Sequence, residues 1–140
     1  MRIAVVYWSG TGNTEKMAHA VVLGVQEKGM EVDLFRADEF TRDQVSDYDG
    51  FVFGCPSMGV EILEEDEFSP MFKDVLPLLE DKPVLLFGSY GWGKGEWMEE
   101  WEAMCDEAGA RLLDDGFICK KTPGPMDLEG CRTLADLFDL

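Results

Sequence analysis

"YWSGTGNTEK" fills residues 7–16, after only six other residues. An apolar run, Ile3 to Trp8, stops here and a helical pattern begins. Over residues 14–28, Met17, Ala18, Val21, Val22 and Val25 share one face, and Gly29 follows. A turn that leaves a strand and enters a helix gathers backbone N–H groups and the positive end of the helix dipole at one point, where an anion is favoured. Ser9, Thr11, Asn13 and Thr14 add short donors, while Gly10 and Gly12 permit tight turning and close approach. Within this stretch no cation appears until Lys16. A phosphate group accounts for this composition, and an N-capped loop without a ligand remains the alternative at this point.

Apolar blocks and helical patterns alternate along the rest of the chain. Phe51 to Cys55 and Val84 to Gly88 are short continuous apolar runs, the pattern of parallel strands covered on both faces. Residues 30–37 alternate instead, and 110–120 are broken by two acids and a glycine, so these two are predicted to be the sheet edges. That arrangement gives a three-layer, doubly wound α/β sheet of five parallel strands in the order 2-1-3-4-5. Further helices are predicted from an N-cap at Ser69-Pro70, across the Trp97–Ala108 stripe to Gly109, and from near Asp127 to Phe138; Pro77 must bend or end the first of these. No repeat, linker or low-complexity segment divides residues 1–140, which read as one domain.

Twenty-nine acids against twelve bases give a formal charge of -17. That balance argues against nucleic acid and anionic membrane and suits a basic protein partner, or simply a solvated acidic surface. Cys55, Cys105, Cys119 and Cys131 form no C-x-x-C, and with His19 the single histidine there is no metal-ligand set of the usual spacing. Reduced thiols and a cytoplasmic protein are expected. The chain opens directly on a strand-like run, so no signal peptide is expected, and no apolar run approaches the roughly 20 residues of a membrane helix.

In a sheet of this order, ligands sit beyond the carboxyl ends of the strands where the order reverses, between the first and third strands. Three loops meet there. In the first, "GTGNTE" (10–15) lacks the third glycine of a dinucleotide fingerprint. The second, "CPSMGVE" (55–61), carries Ser57, a tight turn over Met58-Gly59-Val60-Glu61, and Cys55, read as a packed thiol because no phosphate-cradling arginine follows it. The third is "SYGWGKGEW" (89–97), and "GSYGWGKG" (88–95) nearly matches a P-loop, but Gly95 stands where a Ser or Thr must meet magnesium. Phe87 and Trp97 read as core. Trp92, between Gly91 and Gly93, offers a flat face for an aromatic ligand.

Together "YWSGTGNT", "GCPSMGVE" and "FGSYGWGKGEW" resemble the flavodoxins over essentially the whole length, specifically the short-chain group. The resemblance implies a non-covalent FMN cycling between quinone, neutral semiquinone and hydroquinone, in a low-potential one-electron carrier with a ferredoxin-like role. It implies a monomer that is not an enzyme and that docks on redox proteins through their basic surfaces. By position, Ser9, Thr11, Asn13, Thr14 and the loop amides around Gly10 and Gly12 would hold the phosphate. Trp92 and Met58 would cover the two faces of the flavin ring, and Glu61 would bond its N3–H. Ser89, Gly91 and Gly93 would close the pyrimidine end, beside Tyr90. Gly59-Val60 would be the peptide that turns toward N5 on reduction. Two features depart from relatives: Val60, where Asp, Asn, Gly or Ser is common, and Pro56, where some carry a phosphate-binding serine. A small FMN-dependent quinone or nitro reductase is the rival reading, though the chain has neither spare length nor a cationic cluster for a nicotinamide donor.

Five of the seven residues 61–67 are acidic, Glu64, Glu65 and Glu67 among them. Each acid about 10 Å from the flavin is expected to lower its second potential by about 15–35 mV. Val60 sets a second expectation. A type II turn places a positive φ on residue 60, which a β-branched side chain resists by on the order of 1–2 kcal/mol; a type I turn avoids that strain. On the type II route, Val60→Gly raises the oxidised/semiquinone potential by tens of millivolts (~1.4 kcal/mol corresponds to 59 mV for one electron). Potentiometry on the pair decides, and an unchanged first potential means type I geometry or no flip.

Overall fold

The computed structural model describes residues 1–59 and 61–138. Strand β1 (Arg2–Tyr7) leads into helix α1 (Asn13–Glu27), then β2 (Glu31–Arg36) and β3 (Gly50–Gly54). Helix α2 (Phe68–Val75), β4 (Pro83–Tyr90) and α3 (Glu96–Glu107) follow, then β5 (Arg111–Leu112), β6 (Phe117–Lys120) and α4 (Pro125–Thr133). All the strand pairs are parallel, in the order β2-β1-β3-β4-β5, with β6 also on β4. The expected 2-1-3-4-5 order therefore holds, with the fifth position filled by two short strands. The break covers residues 113–116, where Asp114 accepts from the Asp115 N–H at 2.8 Å and Gly116 donates to Glu102 at 2.6 Å. Two adjacent acids cannot both face a covered sheet, so the strand opens around them.

Alternate side chains of the central strands enter two cores, one per face. Phe51 and Phe53 join Phe68 and Phe72 of α2 and Trp97 and Trp101 of α3. Val5, Val52 and Leu85 join Met17, Val21 and Val25 of α1, with Cys131 and Phe138. Helices on both faces make three layers. Among the described residues, no helix is long and apolar enough to cross a membrane.

Two helix starts differ from those read in the sequence. Helix α2 begins at Phe68 with Glu67 as its N-cap, so Ser69-Pro70 already lies inside the first turn. The signal misread there was a remote cap: the Glu64 carboxylate does the work expected of Ser69. Helix α4 begins at Pro125, two residues before Asp127, whose carboxylate accepts the Gly124 N–H at 2.9 Å. Pro77 ends α2 as expected, in a 3-10 turn over Leu76–Leu78.

Helices α1 and α4 cross where α1 has no side chain. A Cβ on Gly24 would lie 1.9 Å from the Arg132 carbonyl oxygen. Alanine is the better helix former by about 1 kcal/mol, but the backbone contact cannot yield without separating the helices. Gly24→Ala should therefore lower stability by about 1–3 kcal/mol, read as a lower denaturation midpoint; a gain in stability would mean that the crossing relaxes freely.

Candidate functional site

The carboxyl ends of β1, β3 and β4 frame a cleft of about 320 Å³. Ser9, Gly10, Thr11, Asn13 and Thr14 form one wall, Ser57 and Met58 another, and Ser89, Tyr90 and Gly91 a third. The three loops singled out in the sequence thus meet in one place. The volume falls in the range of small-molecule and cofactor sites, about 300–1,000 Å³.

The first wall is built by the turn into α1. Gly12 has φ of 99°, the left-handed conformation that lets the chain enter a helix one residue later. The Ser9 hydroxyl accepts from the N–H groups of Gly12 (3.1 Å) and Glu15 (3.2 Å). Among the described residues, the amides of Gly10, Thr11, Asn13 and Thr14 find no acceptor in the protein. Thr14, 1% exposed, shares a hydrogen bond of 3.1 Å with Ser89 on β4, which locks the helix start to the sheet. Unpaired amides, neutral hydroxyls and a helix N-terminus make a donor set for a phosphate.

The second wall corrects the turn read in the sequence. Met58 and Ile62 exchange both backbone hydrogen bonds, at 2.8 and 3.1 Å. The turn therefore closes on Ile62, one residue beyond Glu61. Gly59 has a positive φ, 47°, and Glu61 does too, at 58°. Val60, the residue in question on reduction, lies outside the described residues. Gly95 donates its N–H to the Glu61 carboxylate at 3.1 Å, and a Cβ on Gly93 would lie 2.3 Å from that carboxyl carbon. Glu61 thus ties the Met58 loop to the loop that carries Trp92. Trp92 itself is 65% exposed, whereas Trp97 and Phe87 are buried, as read from the sequence.

Gly12, Gly59, Glu61, Trp92 and Gly93 do not line the cleft as shaped here, while Trp8, Pro56 and Lys121 do. The sequence reading treated Trp8 as the end of a strand; its position just before the phosphate-type turn was the available signal. The Trp8 indole donates to Glu67 at 2.8 Å, and its ring lies 3.0 Å from a Cβ built on Gly10, so a larger residue there would crowd it. Lys121 follows the edge strand directly, so strand order alone could have brought it to this rim.

Cys55 is fully buried, and burial pushes its thiol well above the usual range, so it is a packed thiol as read from the sequence. Among the described residues, no cluster of His, Cys, Asp and Glu could hold a metal ion.

The acidic run 61–67 is less uniform than its composition suggests. Glu64 is only 6% exposed. Its carboxylate accepts the N–H groups of Asp66 (2.8 Å), Glu67 (2.8 Å) and Phe68 (2.7 Å), so it caps α2. Glu67 holds Trp8. Only Glu65 and Asp66 are acids of this run without a structural bond of that kind among the described residues, which removes Glu64 and Glu67 as clean probes of the flavin's potential.

A doubly wound sheet with a phosphate-type turn at its switch point defines a small flavin- or nucleotide-binding class of protein. The flavodoxin family profile matches residues 5–134. The chain is 42% identical over 134 residues to a flavodoxin of Megasphaera elsdenii, with 96% of each chain covered. It is 40% identical over 119 residues to a flavodoxin of Clostridium beijerinckii, covering 85% of this chain and 86% of that one. It superposes on the solution structure of the two-electron reduced Megasphaera elsdenii flavodoxin with a TM-score of 0.86, at 39% identity and 96% coverage of each chain. The chain belongs to the flavodoxin family. It is an FMN-based electron carrier, and the reductase reading is not favoured.

Glu64 yields a test. Burial alone would raise its pKa, but three backbone donors outweigh that and hold it below the ordinary 4.5. Its stabilising contribution is therefore complete above the unfolded value and lost as pH falls through the lower, folded value. Glu64→Gln turns one acceptor into a donor facing an N–H group, so stability at neutral pH should drop by about 1–3 kcal/mol. Its loss of stability on acidification should also be shallower than that of the wild type. Denaturant titrations of both proteins from pH 7 to 3 check this, and parallel acid profiles would assign the acid sensitivity elsewhere.

Proposed function

We propose that residues 1–140 form one FMN-binding domain that serves as a low-potential, one-electron carrier in the cytoplasm, acting as a monomer. The observation that carries the site assignment is the set of four acceptor-less amides at Gly10, Thr11, Asn13 and Thr14, beside the N-terminus of α1. These amides, with the hydroxyls of Ser9, Thr11 and Thr14 and the amide side chain of Asn13, would hold a terminal phosphate. Placing several neutral donors around it binds the anion without an ion pair, and the helix dipole adds to the field. FMN, when bound, supplies the one-electron chemistry.

The chain's other residues would orient and shield that group. Met58 and Trp92 sit on separate loops joined by the Glu61 carboxylate, so one side chain couples both covers. Two apolar covers exclude water from one group and raise the weight of every charge near it. Ser57, Ser89, Tyr90, Gly91 and Gly93, with the Gly59-Val60 peptide, would bound the remaining polar edge. Glu65 and Asp66 are exposed between Glu64 and Glu67, whose carboxylate holds Trp8 of the cleft, and in a chain of net charge -17 they favour redox partners that present lysines and arginines.

Flavin titration tests the reading. The purified protein should be yellow, with about one FMN per chain, and the full-length chain stripped of flavin should bind FMN more tightly than riboflavin or FAD. Riboflavin lacks the phosphate, and FAD must carry its adenylate out of a loop shaped for a terminal group. Equal affinity for riboflavin would remove the phosphate-loop argument.

A further inference from the structure

Among the described residues, the cleft carries one charged side chain, and its sign runs against the composition of the chain. Acids outnumber bases 29 to 12, yet none of the described acids lines the cleft and Lys121 does. Among the described residues, five of the twelve bases are matched to carboxylates: Arg2 to Asp33, Lys28 to Asp136, Arg36 to Asp38, Arg42 to Asp74 and Arg132 to Glu27. Lys121 is one of the other seven, and the one of them that lines the cleft.

Its backbone is also unusual. Lys121 has φ of 61°, a left-handed conformation that glycine or asparagine adopts at lower cost than lysine. The conformation is imposed by the sheet edge. Lys120 pairs with Tyr90, and Lys121 then donates its N–H to the Tyr90 carbonyl at 2.7 Å. The chain turns off the strand at that bond, which sets residue 121 on the same wall as Tyr90 and Gly91. A strained backbone at the rim of a binding cleft, carrying the one cation there, points to a function in the cleft.

We propose that Lys121 is a further cofactor-binding residue, a counter-cation for the phosphate monoester held by the turn at residues 9–14. This rests on the FMN reading above. A phosphate monoester carries about -1.5 to -2 charges at neutral pH, and every other donor lining the cleft is neutral. An ammonium on a flexible four-carbon stem supplies a point charge without demanding one geometry. It is exposed, so its contribution is screened within about 8 Å at physiological salt. Lys121 therefore adds a salt-sensitive part to an affinity that the neutral donors make largely salt-insensitive, and it acts on FMN but not on uncharged riboflavin.

Dissociation separates these contributions. Wild-type, Lys121→Gln and Lys121→Arg proteins, full length and loaded with FMN or with riboflavin, are diluted at low and high salt while released flavin fluorescence is followed. The glutamine variant should bind FMN about two- to fivefold more weakly at low salt, with a flatter salt dependence and unchanged riboflavin affinity. The arginine variant should restore the wild-type behaviour, and inorganic phosphate should compete with FMN less well in the glutamine variant. Equal weakening of both flavins would make Lys121 a packing residue, and no weakening of either would make it a bystander; both overturn the inference while leaving the FMN site intact. Wild-type protein that holds riboflavin as tightly as FMN would instead remove the site reading itself.

Discussion

The first turn of α1 is the constraint on which the site depends. A helix that starts immediately after a parallel strand leaves its leading amides without intrahelical acceptors. Here the Ser9 hydroxyl satisfies two nearby N–H groups, at Gly12 and Glu15, and four more remain open at the cleft. The buried Thr14–Ser89 hydrogen bond fixes that turn to β4. A shift of the helix start would therefore cost a buried polar pair as well as the cradle. Rigidity at this point would let neutral donors hold an anion, because their orientation is set before any ligand arrives.

The walls around that turn are tied by side chains that carry charge but are engaged in structure. Glu64 caps α2, Glu67 holds Trp8 at the cleft, and Glu61 joins the Met58 loop to the loop of Trp92. Three members of one acidic run thus do three different structural jobs. Glu65 and Asp66 of the same run are exposed and carry their charge to solvent. An acid-rich surface is costly through self-repulsion, and part of that cost is offset where carboxylates accept backbone hydrogen bonds instead of facing one another.

Glycine has a structural role at two positions of the central strand ends. A Cβ on Gly54 would lie 2.1 Å from the Phe87 ring, and one on Gly88 would lie 2.2 Å from the Cys55 carbonyl oxygen. Both contacts lie beneath the cleft, where β3 and β4 end. Trp97 fills the space behind them and donates its indole N–H to that same Cys55 carbonyl at 3.2 Å. The floor of the site is therefore core packing, which is why Phe87 and Trp97 read as core although they flank the ligand loops.

The sequence by itself determined the parallel sheet, its strand order and the meeting of three loops at one edge. Continuous apolar runs, helical stripes and glycine-rich turns are local patterns, and their order along the chain leaves few topologies. It also marked the phosphate-type turn, because hydroxyls and glycines at a strand-to-helix junction have a local chemical meaning. Only the tertiary structure decided which polar side chains were structural. Glu64 and Ser69 exchange the role of cap, the Met58 turn closes on Ile62, and Lys121 reaches the cleft from the far end of the chain. Those outcomes depend on which backbone groups are left unpaired after the sheet and helices pack, and no window of neighbouring residues contains that information.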